Sequence, residues 1–216
     1  MEKLFIGGFG GCGSRAIMLI LKKAGYYVGE PLVNTADDYL GLKGKKSFLR
    51  SFDRYYLRDS NIDLLSCLRY GTSQNENWAL KHGQMMYIID DLKKWFPESK
   101  FIYVFRNQID QVMNGYFDEK NKAHTKYGNL PVKATIEEKA NWVTDQSNIA
   151  IPKADYVIKL EDLCANKEFE IKRLLDFIKI KNYNIEGYLN LIIMPESIGR
   201  GSKYYDVINV KKINYK

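Results

Sequence analysis

The chain has 216 residues, 45% hydrophobic and 13% aromatic, which is enough apolar material for one compact core and too much for a disordered chain. Its 33 Lys and Arg exceed its 26 Asp and Glu, a formal net charge of +7 that favours an anionic partner: a nucleotide, an acidic polymer, nucleic acid or a membrane surface. Three cysteines (Cys12, Cys67, Cys164) with no CxxC pair argue against a disulfide framework or a cysteine-rich zinc site, and no apolar run approaches the ~18 residues of a membrane span.

The opening residues hold one short apolar run, Leu4-Phe5-Ile6, so no secretory signal is expected and a cytoplasmic location is the default. That run suits a strand buried in a parallel sheet. Five glycines in the seven residues 7–13 follow, and residues 16–23 then read as a helix stopped near Gly25. Residues 26–28 are a candidate second strand. Residues 30–80 are predicted to hold two or three short helices, with helical spacing at 47–57 and 62–68. From Gln84 the pattern is clearer: Met85, Ile88, Ile89, Leu92, Trp95 and Phe96 share one helical face, opposite Asp90, Asp91, Lys93 and Lys94. Pro97 breaks that helix, and residues 100–105 form the clearest strand, with Arg106 at its carboxyl end.

The next helix carries Ile109, Val112, Met113 and Tyr116 on one face, and residues 118–134 read as a charged loop. A helix over 135–149, a strand over 156–160 and a helix over 166–178, burying Phe169, Leu174, Leu175 and Ile178, complete the alternation. A short helix over 185–193 leads into a polar tail. No internal repeat or linker interrupts residues 1–216, so a single domain is expected. Strands alternating with helices predict an α/β fold, a three-layer sandwich with a central parallel sheet and helical insertions. Ligands of such sheets sit at the carboxyl ends of the strands, where both the glycine loop and Arg106 fall.

Glycines let backbone N–H groups converge on an anion, and the helix that follows adds its positive end. Gly8 and Gly13 have the spacing of a nucleoside-triphosphate P-loop, but Ser14 stands where that loop needs lysine. Gly8, Gly10 and Gly13 also satisfy the dinucleotide pattern GxGxxG, with Glu30 placed for a ribose, although the stretch after Val28 does not continue a βαβ unit.

More of the chain fits a third reading. Gly10-Gly11-Cys12-Gly13-Ser14-Arg15 between strand and helix, Phe96-Pro97 through Phe105-Arg106-Asn107, Val157 through Leu163, and Ile198-Gly199-Arg200-Gly201-Ser202-Lys203 occur in one order. Together these segments resemble the sulfotransferases that use 3′-phosphoadenosine 5′-phosphosulfate (PAPS), with a P-loop-like nucleotide-binding core. The resemblance covers roughly two-thirds of the chain; residues 30–75 and 118–150 match nothing in it.

The resemblance implies that Gly10, Gly11, Cys12, Gly13, Ser14 and Arg15 cradle the phosphosulfate. Arg106, Asn114 (eight residues on, where the family has serine), Arg200 and Gly201 would hold the 3′-phosphate. Gly11 stands where the family's loop carries a basic residue, so Arg15 or Lys81 must supply that charge. Lys81 and His82, in a segment ahead of the helix that precedes the arginine strand, are the implied sulfuryl stabiliser and general base; an unperturbed histidine titrates near 6.5. His124 or a carboxylate (Glu30, Asp37, Asp38) is the fallback base, and Tyr55, Tyr56, Tyr116 and Tyr127 lie where an acceptor could be framed.

The implied reaction transfers a sulfuryl group from PAPS to a hydroxyl or amine, with a carbohydrate the favoured acceptor, adenosine 3′,5′-bisphosphate the product, no metal and no nucleic acid. A nucleotide-dependent oxidoreductase or kinase, an inactive nucleotide-binding relative and a non-catalytic anion-binding module stay open as alternatives. Glu161 and Asp162 are expected to be structural, and Cys12 to be a small residue chosen for fit.

Overall fold

The computed structural model describes residues 2–28, 68, 77–113, 117, 129–130, 133–192, 199 and 202–215. Four strands form one sheet: β1 (Lys3–Gly7), β2 (Trp78–Lys81), β3 (Ser99–Phe105) and β4 (Tyr156–Lys159). Their order across the sheet is β2-β1-β3-β4, and every neighbouring pair is parallel. Lys3 stands opposite both Trp78 and Ser99, so β1, β2 and β3 start level; Gly7 ends opposite Tyr103, while β3 runs two residues further, to Phe105 opposite Lys159.

Strand periodicity sends alternate side chains to two buried faces. Phe5, Leu80, Phe101, Tyr103 and Phe105 point to one, where Met85, Ile89, Leu92 and Val143 cover them. Leu4, Ile6, Ile102, Val104 and Ile158 point to the other, against Ile17, Leu21, Ile171 and Leu174. Both faces are apolar and helix-covered, which is why β1 and β3 read as unbroken hydrophobic runs. The three-layer α/β sandwich with a central parallel sheet is therefore the observed fold.

The first cover is α1 (Ser14–Lys23), which follows β1 through the glycine loop. A 3-10 turn (Gly83–Ile88) and α2 (Ile89–Trp95) lead into β3, so the single helix predicted from Gln84 is two elements. Beyond β3 come α3 (Gln108–Gln111) and α4 (Ile136–Ala150). A capping box starts α4: Thr135 Oγ1 accepts the Glu138 N–H at 3.2 Å and Glu138 Oε2 accepts the Thr135 N–H at 2.7 Å. After β4 the chain enters α5 (Leu160–Ala165), α6 (Lys167–Phe177) and α7 (Glu186–Leu189).

Three expectations are corrected. Residues 26–28 form no strand; Tyr27 makes one isolated parallel bridge to Trp78. Residues 78–81, for which no strand was expected, are the edge strand β2, a run too short to show periodicity. Phe169 is not buried but 61% exposed, because the helix restarts at Lys167 and its apolar stripe is Ile171, Leu174, Leu175 and Ile178. The helical spacing at 47–57 lies outside the described residues, as does that at 62–68 apart from Leu68, which is helical and buried.

Candidate functional site

The loop from Gly8 to Gly13 leaves β1 at the carboxyl edge and crosses β3 at a distance no side chain allows. A Cβ on Gly8, whose φ is 144°, would lie 2.1 Å from the Val104 carbonyl oxygen and 2.9 Å from Cys12 Sγ. Gly13, at φ 89°, is the N-cap of α1, and a Cβ there would strike Leu160 Cδ1 at 2.5 Å. The N-cap of α1, a glycine, offers no side-chain cap to the first-turn amides of this ten-residue helix, which stand behind the loop. The loop itself is closed by the Cys12 N–H donating to the Phe9 carbonyl at 3.1 Å.

Three elements bring side chains to this loop. The end of β2 is one: Lys81 is in register with Ile6, and the His82 N–H donates to the Ile6 carbonyl at 3.0 Å. Gly83 sits so close that a Cβ would lie 2.9 Å from the Gly8 carbonyl oxygen. His82 Nδ1 accepts the Gln84 N–H at 3.2 Å and so caps the 3-10 turn. An accepting Nδ1 leaves the proton of a neutral imidazole on Nε2. Lys81 acts on Cys12 electrostatically: burial pushes the Cys12 thiol up, while its hydrogen bond with Ser14 and the Lys81 charge pull against that rise. A protonated, fully buried thiol fills space in the loop and is no nucleophile at neutral pH.

The end of β3 is the second element. Arg106 donates from one guanidinium nitrogen to the Gly11 carbonyl at 3.3 Å and faces Asp110 at 3.6 Å with another; the two side chains are 0% and 1% exposed. Asp110 also accepts the Gly199 N–H at 2.8 Å and the Tyr205 hydroxyl, whose titration is pushed up by burial and by that carboxylate. One residue on, buried Gln111 donates to the Phe9 carbonyl at 3.4 Å and to the Gly10 carbonyl. Arg106 and Gln111 thus bond three loop carbonyls, those of Phe9, Gly10 and Gly11.

The third element is the β4–α5 junction, where Glu161 Oε1 accepts the Asn107 N–H at 2.9 Å. Asn107 in turn caps α3 through Oδ1, accepting from Ile109 at 3.0 Å and Asp110 at 3.2 Å. Glu161 therefore orients the segment carrying Arg106, in keeping with a structural role.

Of the residues singled out in the sequence, the structure brings together Gly10, Gly11, Cys12, Gly13, Ser14, Lys81, His82 and Arg106. Arg15 is exposed on the first turn of α1. Asn114, His124, Arg200, Gly201, Glu30, Asp37, Asp38, Tyr55, Tyr56, Tyr116 and Tyr127 lie outside the described residues. Sequence reasoning missed Asp110 and Gln111. The spacing of Asp110, four residues after Arg106 at a helix start, was the available signal; Gln111 carried none. Among the described residues no group of three or more His, Cys, Asp or Glu is placed to hold a metal, and no helix is long and apolar enough to cross a membrane.

Fold and site together define a P-loop-like α/β protein, with a glycine loop and convergent cations at the carboxyl edge of a parallel sheet. The family model described as "Sulfotransferase family" matches residues 49–184, and the chain belongs to that family. Among solved structures, the sulfotransferase domain from the Synechococcus PCC 7002 olefin synthase superposes with a TM-score of 0.56 at 15% identity, covering 97% of this chain and 84% of that one. A sulfotransferase from Alicyclobacillus acidocaldarius gives 0.50 at 12% identity, over 91% of this chain and 85% of that one. Shikimate kinase from Bacteroides thetaiotaomicron gives 0.51 at 12%, over 83% of this chain and 99% of that one. At such identities these likenesses speak for the fold alone. No curated protein matches the chain.

Proposed function

We propose that this sulfotransferase takes its sulfuryl group from PAPS and passes it to a hydroxyl or amine, with a carbohydrate the favoured acceptor. The observation that carries this reading is the convergence of Lys81, His82 and the Arg106–Asp110 pair on a glycine loop backed by a helix with no side-chain cap. The residues fit such a nucleotide: glycines at 8 and 13 let the loop pack against Val104 and Leu160 at the end of the sheet, and its donor set is amides and cations.

When bound, PAPS supplies an activated sulfuryl group, and its transfer follows the logic of phosphoryl transfer, in which positioning and charge stabilisation dominate. The loop amides of Gly10, Gly11 and Gly13, with the Ser14 hydroxyl, would hold the 5′ end, the Cys12 amide being bonded to the Phe9 carbonyl. Lys81, with Arg15, would supply the positive charge that the donor's bridging oxygen needs. Arg106, Asn114, Arg200 and Gly201 would hold the 3′-phosphate, for which a planar guanidinium suits paired oxygens. His82 takes the acceptor's proton at Nδ1, so the Gln84 cap must release that nitrogen first.

Ligand-dependent heat protection tests the reading. Adenosine 3′,5′-bisphosphate should raise the unfolding temperature, while NAD and ATP at the same concentration should not. Protection by ATP alone would replace the sulfuryl donor with a nucleoside triphosphate, and protection by NAD alone would favour a dinucleotide enzyme.

A further inference from the structure

Gln111 ends α3 with a side chain that is 0% exposed, and it takes no part in the chemistry above. Its Nε2 donates to two successive loop carbonyls, that of Phe9 at 3.4 Å and that of Gly10. Its Oε1 is buried and meets no partner among the described residues. A carboxamide turned end for end would set that oxygen against both carbonyls, so the donor end is fixed on the loop. The residue is itself anchored. Its N–H donates to the Asn107 carbonyl at 2.9 Å, and Glu161 accepts the Asn107 N–H at 2.9 Å.

What Gln111 holds is the middle of a turn. The Cys12 N–H donates to the Phe9 carbonyl at 3.1 Å, which closes a four-residue β-turn with Gly10 and Gly11 at its centre. Gly11 has a φ of 78° while that of Gly10 is negative, which makes the turn type II. Types I and II differ by a half-turn of the peptide between the two central residues. Glycine at both positions leaves either form sterically open. The Gly10 carbonyl belongs to that central peptide, so the bond from Gln111 selects one form. Across a trans peptide the N–H and C=O point opposite ways. The Gly11 N–H therefore faces away from Gln111, on a stretch of loop that is partly exposed. In the flipped form a carbonyl would stand in its place and repel an anion.

We infer that Gln111 is a positioning residue: it fixes the Gly10–Gly11 peptide with its N–H toward the bound anion, an inference that rests on the PAPS reading for the identity of that anion.

The test pairs nuclear magnetic resonance with calorimetry on the full chain. At the first central residue ψ is about 120° in a type II turn and about −30° in type I, so type II brings a Gly10 Hα closest to the Gly11 N–H. The unmutated protein should show a strong Overhauser effect between the two. Gln111→Met, which fills the space without a donor, should show a weaker one. The same variant should bind adenosine 3′,5′-bisphosphate about tenfold or more weakly, the loss of one charge-assisted hydrogen bond. Gly11→Ala disfavours positive φ and drives the same flip. Combined with Gln111→Met, it should weaken binding scarcely beyond either change alone. An undiminished Overhauser effect in Gln111→Met, an unchanged affinity, or additive losses in the double variant would overturn the assignment. Should Gln111→Met fail to fold, the near-isosteric Gln111→Glu, which sets an oxygen against the Gly10 carbonyl, takes the Overhauser measurement with the same two outcomes. Should the unmutated chain bind no bisphosphate, the PAPS reading falls, and the Overhauser comparison alone decides whether Gln111 sets the turn.

Discussion

At His82 one nitrogen holds the Gln84 amide and, in the proposed reaction, also takes a proton. Asparagine separates the two duties, since its side-chain oxygen can cap the turn but cannot titrate. His82→Asn should keep the unfolding temperature near that of the parent and lose turnover, whereas His82→Ala should lose turnover and about 1 kcal/mol of stability. Equal turnover in His82→Asn and the parent would remove His82 from the chemistry. Arg106 and Asp110 invite a cycle of the same kind. Arg106→Ala strands a buried carboxylate and should cost about 3–5 kcal/mol in denaturant unfolding. Arg106→Ala combined with Asp110→Ala should cost less than the single change. An additive double variant would mean that the pair at 3.6 Å does not couple.

Among the elements, α6 offers the sharpest contrast. Ile171 is 0% exposed and Phe169 is 61% exposed, with the Arg173 guanidinium 5.6 Å from the Phe169 ring centre. Ile171→Ala should therefore cost about 2–5 kcal/mol, and Phe169→Ala no more than about 0.5 kcal/mol, both read from chemical denaturation. The reverse ranking would mean that the helix sits in another phase. Its phase was legible all along: Ile171, Leu174, Leu175 and Ile178 follow the i, i+3, i+4, i+7 rule, and a large aromatic two positions upstream only distracts from it. The strands β1 and β3 and the helix α4 were equally legible, because a run buried on both faces and a capped amphipathic helix are local patterns. Strand β2 was not, since four residues cannot show a period and its place is set by β1. For the site, the glycine loop and Arg106 were readable from their positions at strand ends. Asp110 was signalled only by its spacing of four from Arg106, and Gln111 acts through tertiary contacts with the loop that no local spacing announces.

The whole molecule should weaken in alkali through its buried phenols. Burial pushes Tyr156 up to about 12, and it raises Tyr103 as well, against a hydrogen bond with Ser147 at 3.0 Å. In the unfolded chain a tyrosine titrates near 10. A pKa raised in the fold contributes stability that is fully present below pH ~10 and is lost as pH climbs towards the folded values. The unfolding temperature should hold up to about pH 10 and then fall, less steeply in Tyr103→Phe. An unchanged slope in that variant would assign the loss to other groups. The net charge of +7 belongs to this scale too. Lys81 and Arg106 account for a small part of it at the loop. Surface ion pairs such as Lys172–Glu168 and Lys211–Asp145 cancel and add nothing to it.

Recognition of a 3′-phosphate is what separates a PAPS site from one for any other nucleotide. Calorimetric titration of the full chain with adenosine 3′,5′-bisphosphate and with adenosine 5′-monophosphate compares ligands that differ in that group alone. A charged hydrogen bond of about 1.5–3 kcal/mol predicts a preference of roughly 10- to 150-fold for the bisphosphate, largely lost in Arg106→Gln. Equal affinities, or a preference that survives Arg106→Gln, would contradict it.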